Sequence, residues 1–306
     1  MHKPRIFFLV GPTGIGKTEV AVYLAKKINA EIVSCDSMQI YKGIDILTSK
    51  PAPHLRRKAA HHLIDIVSPA REYNVSRYRL DALRKIREIF DRGKAPLFVG
   101  GTGLYASVLI DGIFKGKSQD NSVRKRLYRQ AQKLGAEYLY KRLKKIDPEA
   151  AGKIHPNDLK RVIRALEVFE TTSKPISLLQ KQRRGLGERY EVIVFCLNME
   201  REMLKKRIAM RVEKMFAKGA LSEAQKLLKL KLSRTAAYAI GLRELKGYLD
   251  GGYDLETAKG MIKRNTYLYA KRQLTWFRKD NRIRWVEIND QNKPHEVARR
   301  LWKEFY

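Results

Sequence analysis

Gly11 to Thr18 read GPTGIGKT, the stretch of this chain that commits most firmly to one chemistry. In a GxxxxGKT pattern the glycines let the backbone wrap an anion, and its N–H groups join the positive end of the following helix in holding phosphate oxygens. Lys17 adds a point charge, and the Thr18 hydroxyl is suited to ligate Mg²⁺ bridging the phosphates. Gly11, Pro12, Thr13, Gly14, Ile15, Gly16, Lys17 and Thr18 are therefore the candidate binding residues for a diphosphate or triphosphate. An ATP-like nucleotide is the ordinary guest of such a loop, but kinases, hydrolases and diphosphate-using transferases share the cradle.

Two more positions could act beside it. EIVSCD, Glu31 to Asp36, has strand-like composition and ends on an acid, at the point where open α/β sheets place their ligands. PLFVGG, Pro96 to Gly101, reads as another buried strand, but it runs into Thr102 instead of the aspartate that holds Mg²⁺ in many P-loop hydrolases. Asp65, after HHLI, is a weaker candidate for that acid because its preceding apolar run is short. Hydrolysis is not evident from this pattern.

The surrounding elements are those that position such residues. RIFFLV (Arg5 to Val10) is a short apolar run ending at glycine, and Val20, Leu24, Ala25 and Ile28 recur at helical spacing. With EIVSCD this makes a βαβ unit and predicts a parallel sheet. Leu80, Leu83, Ile86 and Ile89 predict a helix from Val75 to Arg92, stopped by Gly93. From Lys115 to Tyr190 the pattern is helical, with 20 Lys plus Arg against 8 Asp plus Glu, which reads as a basic helical insertion. YEVIVFCL (Tyr190 to Leu197) returns to strand composition, helices are expected at Glu200 to Lys218 and Leu255 to Lys279, and RIRWVEI is expected to close the sheet. The expected architecture is an α/β, P-loop NTPase-like parallel sheet with helices on both faces. Its core would comprise 1–114 plus 190–306, with 115–189 as an inserted helical domain.

Charge points to a polyanionic partner. The chain has 64 Lys plus Arg against 32 Asp plus Glu, a formal +32, and nucleic acid is the first candidate for such a balance. No apolar stretch approaches the ~18 residues of a membrane span. The apolar run after Lys3 and Arg5 ends too soon, at Gly11 and Pro12, for a signal peptide. Cys35 and Cys196 are too few for a disulfide framework and lie in no zinc pattern, so a reducing cytoplasm is expected. The adjacent His61 and His62 point different ways and make a poor metal pair.

GPTGIGKT, SCDSMQIYKGIDILTSKP, HHLIDI, VGGTGLY, HPNDLKRVIRALEVFE and YAKRQLTWFRKD occur in this order. With them the chain closely resembles the tRNA dimethylallyltransferases, the isopentenyl-tRNA transferase family, over nearly its whole length. The resemblance implies transfer of a dimethylallyl group from dimethylallyl diphosphate to N6 of the adenosine 3′ of the anticodon, position 37. It also implies a P-loop holding the donor's diphosphate and a helical insertion clasping the tRNA anticodon stem-loop. An exocyclic adenine amine is a weak nucleophile, and Asp36 is the expected acceptor of its proton. Thr102 maps to the threonine beside the reacting atoms and Arg211 to the arginine reaching the diphosphate, with Arg207, one turn earlier, an alternative for that role. Asp36, Ser37, Met38, Gln39, Thr102, Arg124, Lys160, Arg161, Arg164, Gly241 and Arg243 are the implied tRNA-binding residues. The target base must leave the anticodon stack to reach the core.

The chain departs from the family in two places. Around AIG it reads Tyr238-Ala239-Ile240-Gly241-Leu242 where relatives often carry an arginine and a tyrosine, and GIFKGKSQDNSVR lacks the prolines common before the insertion. A P-loop kinase acting on a nucleotide or nucleic-acid end is the competing enzyme, and a regulatory RNA-binding P-loop protein is the competing non-enzyme. Neither needs to pair CDSMQ with GGTGLY. Nothing in the sequence demands more than a monomer.

Overall fold

The computed structural model describes residues 3–114 and 120–304. The chain divides into two compact units, Met1–Ile110 with Arg189–Tyr306, and Asp111–Glu188.

The first unit runs β1 (Arg5–Val10), α1 (Lys17–Lys27), β2 (Ala30–Ser34), α2 (Pro53–Lys58), β3 (His61–His62), α3 (Val75–Asp91), β4 (Ala95–Gly100) and α4 (Gly103–Ile110). The insertion follows with α5 (Asn121–Leu134), α6 (Ala136–Ile146), α7 (Pro148–Lys153), α8 (Leu159–Thr172) and α9 (Ile176–Lys181). The chain then returns to the first unit through β5 (Glu191–Asn198), α10 (Arg201–Ala217), α11 (Ala220–Leu228), α12 (Leu242–Leu249), α13 (Leu255–Phe277), β6 (Ile283–Glu287) and α14 (Pro294–Lys303).

Among the described residues the strands form one parallel sheet in the order β3-β2-β4-β1-β5-β6. Strands in such a sheet are covered on both faces and read as continuous apolar runs. Residues Ile6 to Val10 and Pro96 to Gly100 are accordingly all buried. One core cluster joins β1, β4 and β5 to α1, through Leu9, Leu24, Leu97 and Phe195, and takes in Leu301 of α14.

The insertion has its own core, in which Leu127, Leu139, Leu143, Val162 and Leu166 are fully buried, with Phe114 packed against them. Gly112, at φ +80°, lies so close to Arg184 that a Cβ there would sit 2.1 Å from the Arg184 carbonyl oxygen. Both contacts lie within the unit Asp111–Glu188. The expected start at Lys115, with residues 115–119 of GIFKGKSQDNSVR, lies outside the described residues.

The second strand also stops sooner than its composition suggests. β2 ends at Ser34, not Asp36, because the Cys35 carbonyl turns to accept the Thr102 N–H at 3.2 Å instead of continuing the ladder.

Candidate functional site

Strand order alone brings the chemical residues together. β1, β4 and β2 are neighbours, and Leu9, Val99 and Ser34 pair at one level of the sheet. Two residues beyond that level the chain reaches Gly11, Gly101 and Asp36. The phosphate loop, the GGT turn and the acid therefore emerge side by side at the carboxyl ends of adjacent strands, where parallel sheets bind ligands. They open into a cleft of about 1180 Å³ whose lining includes Thr18, Asp36, Gln39, Arg211 and Gln273.

The loop has the backbone that its glycines allow. Gly14 and Gly16 adopt φ of +86° and +95°, and Gly16 immediately precedes α1, so the first amides of that helix face the loop. Ile208 of α10 presses on Gly14, where a Cβ would lie 2.9 Å from its Cγ1. The Lys17 ammonium donates to the carbonyls of Gly11 (2.9 Å) and Pro12 (2.7 Å). Burial lowers the Lys17 pKa from 10.5 to about 8; the nearby Asp36 carboxylate opposes that shift and the Arg211 guanidinium adds to it.

The two candidate arginines of α10 part company. Arg211 donates from Nη1 to the Thr13 hydroxyl at 2.9 Å, and burial lowers its pKa while Asp36 counteracts the effect. Arg207 is tied to Asp290 at 2.5 Å and to the Ile15 carbonyl at 3.1 Å. Arg211 thus lies beside Lys17 and Asp36, whereas Arg207, which lines the same cleft, is engaged by Asp290 and the Ile15 carbonyl.

Asp36 uses one oxygen to build its own turn. Oδ1 accepts from the N–H groups of Met38 (2.8 Å) and Gln39 (3.4 Å), and Oδ2 makes no hydrogen bond to the described residues. Thr102 is bound to the same segment, its Oγ1 accepting from the Ser37 N–H at 3.0 Å and donating to the Ser37 hydroxyl at 3.4 Å. Gly100 permits this approach, since a Cβ there would lie 2.1 Å from the Cys35 carbonyl oxygen. Tyr269 of α13, its pKa raised by burial and by Asp36, turns its hydroxyl toward Thr102 and Gln273.

The rest of SCDSMQIYKGIDILTSKP is largely scaffold. Gln39 donates to the carbonyls of Thr48 and Ser49, both at 3.4 Å, and its oxygen accepts from Ser34 at 3.3 Å. Glu223 of α11 accepts the N–H groups of Asp45, Ile46 and Leu47 at 2.8 to 2.9 Å. Lys50 bonds the Tyr41 carbonyl at 2.5 Å, Asp45 at 2.6 Å and Asp65. Asp65 therefore lies between Lys50 and Arg56, whose bonds outweigh burial and hold its carboxyl below the usual range. A carboxylate engaged by two cations is poorly suited to hold Mg²⁺, so Thr18 remains the better candidate.

Not every implied tRNA residue is at the surface. Gly241 is buried, and a Cβ there would lie 2.7 Å from Leu47, so its sequence signal has a packing explanation. Arg243 is exposed. Within the insertion, Lys160 and Arg161 are exposed, the latter paired with Asp158 at 3.2 Å. Arg124 and Arg164 both bind Glu167, a fully buried carboxylate, at 2.8 and 3.0 Å. A buried carboxylate demands such partners, so Arg124 ties α5 to α8 and Arg164 supports the same carboxylate from within α8, whatever else they touch.

One residue to which the sequence reading gave no role lies at the centre. Gln273, 5% exposed, accepts the Thr13 N–H at 2.8 Å and donates to the Gly101 carbonyl at 2.9 Å. It sits inside the YAKRQLTWFRKD motif, but only the sheet order shows what its amide could reach.

The family profile described as IPP transferase matches residues 39–280, and that described as isopentenyl transferase matches residues 4–61. The tRNA dimethylallyltransferase of Carboxydothermus hydrogenoformans is 46% identical over 94% of this chain and 93% of its own length. The crystal structure of the tRNA isopentenylpyrophosphate transferase of Bacillus halodurans superposes with a TM-score of 0.72 at 38% identity, covering 99% of this chain and 97% of that one. A eukaryotic dimethylallyltransferase described as acting on tRNA superposes with a TM-score of 0.83 at 29% identity, over 98% of this chain and 77% of the other.

Proposed function

The chain belongs to the IPP transferase family, and on that premise we propose that it transfers a dimethylallyl group from dimethylallyl diphosphate to N6 of adenosine 37 in tRNA. The observation that carries this reading is the convergence of an anion cradle, Lys17 and Arg211 with the Asp36 carboxylate and Thr102 at adjacent strand ends. A phosphoryl-transfer enzyme shares the cradle and can use a carboxylate as base, so what favours prenyl transfer over it is the match to the IPP transferase family along the chain.

In this reading the N6 lone pair forms a bond to C1 of the allyl group while the C1–O bond breaks, and its electron pair leaves with the diphosphate. Negative charge develops on the leaving group, so preorganised donors there contribute most. The loop amides, Lys17 and Arg211 are those donors. The N6 proton passes to Asp36, whose Oδ2 is left open by the use of Oδ1 in the turn. Thr102 positions the 36–37 segment against the reacting atoms.

Thr18 would supply the protein's hydroxyl ligand to Mg²⁺, which would neutralise charge on the diphosphate. Ser37, Met38, Gln39 and Arg243 of the core and Arg124, Lys160, Arg161 and Arg164 of the insertion are the proposed tRNA contacts. The last four would grip phosphates through N–H groups beyond those spent on Glu167 and Asp158. We assign the working form to a cytoplasmic monomer. Among the described residues no helix is long and apolar enough to cross a membrane.

The test supplies dimethylallyl diphosphate, Mg²⁺ and unmodified tRNA bearing adenosine 3′ of the anticodon, followed by mass analysis of the nucleosides. A gain of one dimethylallyl group on that adenosine is expected. An unchanged adenosine, or transfer of phosphate from ATP in a parallel reaction, would overturn the proposal.

A further inference from the structure

We propose that Gln273 is a positioning residue that fixes the spacing between the phosphate loop and the Gly101–Thr102 turn, and so aligns leaving group and acceptor. The inference rests on the transferase reading above. Donor and acceptor are held by different strand-end loops, after β1 and after β4 and β2, and the sheet joins those loops only at their roots. Beyond Gly11 and Gly101 something else must set their separation.

The Gln273 amide bridges that gap. Its Oε1 accepts the Thr13 N–H at 2.8 Å and its Nε2 donates to the Gly101 carbonyl at 2.9 Å. The orientation follows from the partners, because an N–H can only donate and a carbonyl can only accept. Among side chains of this length only an amide offers one donor and one acceptor; glutamate would set a negative oxygen against the Gly101 carbonyl, and methionine would leave both backbone groups unpaired. The fit is close on the turn side as well, where a Cβ on Gly101 would lie 2.0 Å from Nε2. Gly101 is thus a glycine chiefly because the amide occupies that space, with the Gly11 carbonyl oxygen also 3.2 Å from such a Cβ.

Each bridged group also leads to a residue of the reaction. Thr13 receives Arg211 through its hydroxyl at 2.9 Å, so the backbone that Gln273 holds carries the proposed diphosphate arginine. Gly101 precedes Thr102, which binds the Ser37 N–H at 3.0 Å and thereby the Asp36 turn. Tyr269, one helical turn before Gln273 on α13, faces Thr102 as well. The proposed role of Gln273 is exerted through the two loops that its amide joins.

A positioning role predicts loss of turnover without comparable loss of binding. The test compares the parent with Gln273→Met, which keeps length but neither bond, and with Gly101→Ala, which drives the amide away while leaving Gln273 in place. Single-turnover transfer is measured with both substrates saturating, and the binary dissociation constants for inorganic pyrophosphate and for unmodified tRNA are measured separately by calorimetry and filter binding. A misplacement of about 1 Å costs on the order of 10²-fold, so each variant should lose about 10- to 100-fold in transfer rate. Each binary constant should change by less than about 3-fold, since 10-fold requires 1.4 kcal/mol.

Rates within about 2-fold of the parent in either folded variant, or losses matched by weaker binding of one substrate, would overturn the role. If Gln273→Met fails to fold, Gly101→Ala decides the question alone. A parent inactive with dimethylallyl diphosphate would instead sink the transferase reading, which the shared control reveals before any variant is compared.

Discussion

Asp36 has two jobs in this structure, and replacing it with asparagine separates them. Its Oδ1 caps the turn by accepting from Met38 and Gln39, and the oxygen of an asparagine amide can accept the same two bonds. What disappears is the charge and the ability to take a proton. Hydrogen bonds to a charged group contribute about 1.5 to 3 kcal/mol and neutral ones about 0.5 to 1.5, so Asp36→Asn should lower stability by about 1 kcal/mol. Loss of a positioned base costs about 10²- to 10⁴-fold in rate, or roughly 3 to 5 kcal/mol of barrier.

The catalytic effect therefore exceeds the structural one several-fold, and the two can be read independently. Single-turnover transfer of labelled dimethylallyl into tRNA gives the first, and urea denaturation gives the second. Pyrophosphate binding should change little at neutral pH, because removing a like charge beside the leaving group is offset by losing the support Asp36 gives the Lys17 ammonium. Asp36→Ala, which loses the turn as well, should show the same rate loss with a larger stability loss. A folded Asp36→Asn protein transferring within about 3-fold of the parent would refute the assignment of Asp36 as proton acceptor.

Two further predictions concern charge. Lys17 is lowered from 10.5 to about 8 chiefly by burial, so it starts to lose its proton just above neutrality; a bound diphosphate restores the ammonium. Pyrophosphate affinity should weaken as pH rises through about 8, and binding above that pH should take up a proton, seen as a calorimetric heat that varies with buffer ionisation enthalpy; a buffer-independent heat would exclude it. Glu31, 4% exposed, is held by Arg92, His62 and Lys94 at 2.7 to 3.1 Å. Its pKa falls from 4.5 to about 2, with the Arg92 bond as the largest cause and burial opposing. A depressed carboxyl stabilises the fold above its unfolded pKa, and that contribution is lost as pH falls from about 4.5 through about 2. Glu31→Gln should therefore cost about 1 to 3 kcal/mol in urea at neutral pH, with the gap closing in acid; a gap that persists unchanged in acid would exclude the linkage.

The sequence revealed the elements more readily than their adjacency. RIFFLV, PLFVGG and YEVIVFCL are continuous apolar runs because they lie inside a parallel sheet, and the structure has them as β1, β4 and β5. The phosphate loop was legible because its function depends on local backbone geometry. Gln273 was not, because its importance comes from Thr13 and Gly101, which are 260 and 172 residues away along the chain. Arginine types show the same limit. Arg124 and Arg164 look like solvated basic residues of helical faces, yet both serve a carboxylate whose burial no single-helix pattern reveals. Gly241, likewise, answers to Leu47 across the fold.

The charges at the strand ends depend on one another, and this bears on how the reaction is confined. Burial works against the ammonium of Lys17 and the guanidinium of Arg211, while Asp36 favours both charged forms. The acid that would accept the proton thus also favours the ammonium of Lys17, whereas the guanidinium of Arg211 stays charged without such help. Once Asp36 takes a proton, that support is withdrawn at the moment the diphosphate has gained its charge and can replace it. Positive charge in the cradle is then sustained first by the carboxylate and afterwards by the product. The arrangement needs Asp36 near the cradle but bonded to neither cation, and the hydrogen bonds of its Oδ1 to Met38 and Gln39 meet that need by holding it in its own turn.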